Sequence, residues 1–84
     1  MKKPKVIPTL DLHGHRHMEV ESLVCTFLNE LMLSKHDEAK IITGHSDQMK
    51  KIVSNILEDY KIRYIIGDIT NKGYIKLEFW DDIL

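Results

Sequence analysis

Apolar residues recur along this chain in two rhythms. Val20, Leu23, Val24, Phe27, Leu28, Leu31 and Met32 follow the i, i+3, i+4, i+7 spacing of one helical stripe. Met49, Ile52, Val53, Ile56, Leu57 and Tyr60 repeat it. The spacing predicts helices over 17–34 and 47–60, with Ser46 or Asp47 as N-cap of the second. Elsewhere the period shortens to two. Ile75, Leu77 and Phe79 alternate with Tyr74, Lys76, Glu78 and Trp80, which predicts a half-buried strand over 74–80. Shorter runs predict strands over 9–13, 39–43 and 62–67. Gly14 ends the first of these, Gly44-His45-Ser46-Asp47 breaks the second, and Asn71-Lys72-Gly73 offers a turn before the last strand.

The predicted order is β-α-β-α-β-β. Strands joined through a helix favour parallel pairing with a right-handed crossover, and the last two strands can close as a hairpin. Each helix has one apolar stripe, so both are expected on one face of a four-stranded mixed sheet. The expected fold class is an α/β two-layer sandwich.

Length and charge narrow the picture. Eighty-four residues allow a single domain with a modest core, here expected over 9–80. Residues 1–8 carry three lysines and two prolines without periodicity and are expected as a flexible basic arm, with 81–84 an acidic tip. The formal net charge of −1 excludes a strongly basic coat, though not a local basic patch. A lone Cys25 excludes an internal disulfide and points to a reducing compartment. No run approaches the apolar length of a membrane span, and no signal-type run follows the basic start. A cytoplasmic monomer with no membrane partner is the expectation.

The candidate chemistry gathers in Thr9-Leu10-Asp11-Leu12-His13-Gly14-His15-Arg16-His17. Asp11 and His13 are two apart, so a strand presents both on the face opposite Leu10 and Leu12. If the first two strands are parallel, the turns after them share one sheet edge, where ligands of open α/β sheets bind. Each turn feeds a helix N-terminus, which attracts anions. Gly14 and Gly44 let the backbone approach a phosphate, while His15, Arg16, His45, Lys50 and Lys51 stand where they add charge or hydrogen bonds. Asp11, His13 and His45 are the candidate catalytic groups for phosphodiester hydrolysis, which needs a base, charge stabilisation and a leaving-group acid. A turn-stabilising hydrogen-bond pair is the structural alternative for Asp11 and His13.

Leu10-Asp11-Leu12-His13-Gly14, followed by a helix, resembles the opening signature of the Smr (small MutS-related) domain. Thr43-Gly44-His45-Ser46 stands where that family has His-Gly-x-Gly. The element order is similar too, and the family fold is similar to the C-terminal domain of bacterial translation initiation factor three. The resemblance covers about residues 9–80. It implies binding of DNA or RNA, often with nicking or endonuclease activity. It carries the first motif onto Asp11, His13 and Gly14, and the second onto Gly44. Thr43 replaces the family histidine, Ser46 its second glycine, and a later glycine-rich segment is reduced to Asn71-Lys72-Gly73. Thr43, Ser46, Lys72 and Gly73 join the expected nucleic-acid contacts.

Thr43 cannot do an imidazole's work, so binding ranks ahead of cleavage. A non-catalytic nucleic-acid or protein adaptor is the alternative, the latter using the last strand with Tyr74 and Trp80. A third reading takes Asp11, His13, His15 and His17, with His45 nearby, as metal ligands of a hydrolase, but no later His/Asp cluster completes such a site. No metal ligand or cofactor is assigned, although nuclease chemistry leaves room for a divalent metal.

Overall fold

The computed structural model describes residues 7–34, 38–67 and 73–78. The elements are β1 (Thr9–Asp11), α1 (His17–Ser34), β2 (Glu38–Ile42), α2 (Asp47–Asp59), β3 (Arg63–Ile66) and β4 (Tyr74–Glu78). The strands form one mixed sheet in the order β1-β2-β4-β3. β1 runs parallel to β2, with Asp11 beside Ile42. β4 is antiparallel to both β2 and β3, so it lies between two strands that precede it in the chain. The helical crossover from β2 to β3 thus leaves a strand-wide gap, and β4 fills it.

The core follows the two rhythms. Ala39 and Ile41 of β2 and Ile75 and Leu77 of β4 are fully buried and alternate with half-buried neighbours. They join Val20, Val24, Leu28 and Leu31 of α1 and Met49, Val53, Ile56 and Leu57 of α2 in one cluster. Alternation places Thr9, Asp11, Lys40, Ile42, Tyr74 and Lys76 on the opposite, open face of the sheet.

Three expectations need adjustment. Met32 is 51% exposed rather than core. Leu31 takes the inward position, and the next helical residue is turned by about 100° away from it. β1 stops at Asp11 instead of residue 13, because Leu12 is the last residue on the ladder before the chain turns. Ile7 and Pro8, read as the end of an arm, lie against the sheet, where the Pro8 carbonyl accepts from the Lys40 amide at 2.9 Å. The expectations for Asn71, Lys72, Phe79 and Trp80, for residues 1–6 and for the acidic tip fall outside the described residues.

α2 ends on a feature its sequence hides. The Ile62 amide donates to the Leu57 carbonyl at 2.9 Å and the Lys61 amide to Glu58 at 3.0 Å, with Lys61 at φ 59°. This is the Schellman stop, usually carried by glycine. A lysine gives no such signal in the sequence.

Candidate functional site

The first turn grows directly out of the β1–β2 pairing. The Leu12 amide donates to the Ile42 carbonyl at 2.8 Å and draws the ends of the two parallel strands together. Leu12 is fully buried and anchors the turn to the core. The His15 amide then donates to the Leu12 carbonyl at 3.0 Å, and Gly14 at φ +89° occupies the third position of this β-turn. A positive φ there is the mark of type II geometry, which glycine adopts without steric cost.

Asp11 supports the same turn from outside. Its Oδ1 accepts from the His13 amide at 2.9 Å. The two residues are therefore linked through the backbone of an Asx turn rather than as neighbours on a strand face. Both side chains are exposed.

α1 begins just beyond. Glu19 is the third residue of the helix, and its Oε1 accepts from the Arg16 amide at 3.0 Å. This is the reciprocal half of a capping box, with arginine in the N-cap place. The same oxygen lies 3.2 Å from His15 Nδ1. The Arg16 amide, and secondarily His15, hold the Glu19 carboxyl below its ordinary range. Glu19 thus orients His15 and occupies an N–H group expected to face an anion. The Arg16-x-x-Glu19 spacing is visible in the sequence, but capping boxes are recognised by Ser or Thr at the first place.

The second turn meets the first at Gly44. Its φ is +69°. A Cβ built there stands 3.3 Å from His13 Cδ2, so the imidazole lies against the bare glycine backbone. His45 is exposed at the tip. Ser46 caps α2, its Oγ accepting from the Met49 amide at 3.1 Å. Lys51 is exposed and Lys50 half-buried in the first turns of α2.

Thr43 and Gly73 stand beneath this turn, not on it. Thr43 is 3% exposed. Its hydroxyl donates to the Gly44 carbonyl at 2.9 Å, with the Gly73 carbonyl at 3.3 Å as a second acceptor. The amides of Thr43 and Gly44 both donate to that Gly73 carbonyl at 2.9 Å. Gly73 is buried as well. These two residues, expected as ligand contacts, are committed to joining the second turn to the start of β4. A threonine hydroxyl fits this inward place because it is short.

The structure therefore brings together His13, Gly14, Gly44 and His45 at one edge, with His15, Arg16 and the α2 lysines around them. Among the described residues, no three His, Cys, Asp or Glu side chains are grouped to hold a metal ion. Nor, among those residues, is any helix long and apolar enough to cross a membrane.

The Smr domain family model matches residues 10–68, from β1 through β3. The chain belongs to the Smr domain family. A search of curated proteins finds no match. Among solved structures, the chain is similar to the SMR domain of NEDD4-binding protein 2, determined in solution. The two are 18% identical with a TM-score of 0.60 over 99% of this chain and 96% of that one. At that identity the likeness speaks for the fold. In this Smr domain the matched stretch opens on Leu10-Asp11-Leu12-His13-Gly14 and includes the whole second turn.

Proposed function

We propose that this Smr domain binds DNA or RNA through the phosphate backbone at the edge formed by its two strand-to-helix turns. The observation that carries the reading is the seat of His13 on Gly44, which unites the two turns into one surface. Glycine backbone there allows close approach, and His13, His45 and Arg16 supply donors for phosphate oxygens. Asp11 contributes by fixing the turn that carries His13. Lys50 and Lys51 add charge at the margin, and Ser46 sets the start of α2.

A nicking reaction at this edge has a defined form. One imidazole, His13 or His45, takes the proton of an attacking hydroxyl or water as its oxygen bonds to phosphorus. The other gives a proton to the departing oxygen as its bond to phosphorus breaks, and Arg16 offsets the added negative charge. Residues 9–80 act as the working unit in a reducing, cytoplasmic setting.

Binding without cleavage is the second reading, and Thr43 favours it. The place of the family histidine holds a buried hydroxyl already donated to backbone carbonyls. A plasmid and structured-RNA nicking assay, with and without EDTA, separates the two and shows whether a divalent ion takes part. His13→Ala and His45→Ala are expected to weaken binding by about tenfold or more each, the scale of a charge-assisted hydrogen bond. Unchanged binding in both variants refutes the placement. Cutting that persists in both shows that it comes from elsewhere.

A further inference from the structure

The open face of the sheet is continuous with the turn edge. Asp11 pairs with Ile42, and Ile42 with Tyr74, so one row of side chains runs from the first turn to β4. The next row is Thr9, Lys40, Lys76 and Ile65, one residue from each strand. A cavity of about 190 Å³ opens across these rows. It is lined by Ile7, Glu38, Ala39, Lys40, Tyr74 and Lys76.

Its chemistry is specific. The Lys40 ammonium sits 4.8 Å from the centre of the Tyr74 ring. Lys76 stands in register with Lys40, and its ammonium is 3.9 Å from Glu38. Two ammonium groups thus stand in register on this face, one over an aromatic ring and one beside the Glu38 carboxylate, with Glu78 paired across the sheet from Glu38. Aromatic surface takes the face of a base, while ammonium groups take the phosphates on either side. In a duplex the base faces are hidden in the stack, so only an unpaired strand presents both partners at once.

We infer that a single-stranded nucleic-acid segment, leaving the turn edge, lies across the open sheet face on Tyr74, Lys40 and Lys76. The inference rests on the nucleic-acid reading of the turns and adds the form of the ligand.

The test is fluorescence anisotropy with oligouridine and oligothymidine of about ten nucleotides, beside a blunt duplex of equal length. Tyr74→Leu is expected to weaken single-strand binding about fivefold or more and to leave duplex binding within about twofold, a difference too small for a lost stacking contact. Lys40→Gln and Lys76→Gln each reduce the salt dependence of single-strand binding by about one ion. Circular dichroism checks the fold of Tyr74→Leu, and Lys76→Gln decides the matter if that variant unfolds. If His13→Ala weakens single-strand binding while Tyr74→Leu and Lys76→Gln do not, the strand misses the sheet and only this inference falls. If the wild-type domain binds neither oligonucleotide nor duplex, the proposed function falls with it. Retention of a peptide at Tyr74 in place of an oligonucleotide likewise overturns it.

Discussion

Two glycines that look alike in the sequence have different duties. Gly14 has positive φ and open space around its missing Cβ, whereas Gly44 has positive φ and a histidine ring 3.3 Å from where a Cβ would stand. Gly14→Ala therefore adds backbone strain alone, about 1–2 kcal/mol. Gly44→Ala adds comparable strain and also displaces His13. Urea denaturation is expected to show both losses, while nucleic-acid binding falls more in Gly44→Ala. Equal binding by the two variants contradicts the seat of His13. Glu19 gives a pH signature. Its carboxyl is held low in the fold, so its stabilising effect is full above the ordinary value of 4.5 and is lost as pH falls through the lowered one. Glu19→Gln is expected to destabilise the domain near neutral pH and to converge with the wild type in acid, as read by denaturation at a series of pH values.

At the scale of elements, β4 is the piece on which the sheet depends, since β3 meets the rest of the sheet through it. Leu77, in β4, is fully buried. Leu77→Ala is expected to cost about 2–5 kcal/mol in chemical denaturation, against a far smaller loss for the exposed Met32→Ala. The existence of every element was legible because its pattern is local. Seven positions of α1, and five of α2 with its C-cap Tyr60, repeat at helical spacing, and β4 alternates cleanly. The place of β4 between β2 and β3 was not legible. Alternation tells which residues face inward but does not name a strand's neighbours. For the same reason, the placement of the candidate residues was legible only in part. Asp11, His13, Gly14 and Gly44 stand on local turn chemistry, and the parallel pairing unites them. The inward duty of Thr43 depends on a carbonyl thirty residues away, and no local pattern reports that.

Across the described residues the molecule is a small sandwich whose helix-bearing face forms the core, and the proposed recognition surfaces are its turn edge and the opposite sheet face. Its near-neutral charge, −1 overall, makes affinity depend on a few placed cations rather than on a general basic field. Binding is therefore expected to weaken with salt by only a few released ions, far less than for a protein with many phosphate contacts. The slope of log affinity against log salt concentration measures this directly, and a steep slope contradicts the account. The central claim, that the two turns act as one nucleic-acid surface, is tested most directly by backbone-amide NMR during titration with a blunt duplex. The account predicts that the amides of 11–16 and 43–47 shift together and saturate at the same duplex concentration. Shifts confined to one turn, or to residues away from both, contradict it.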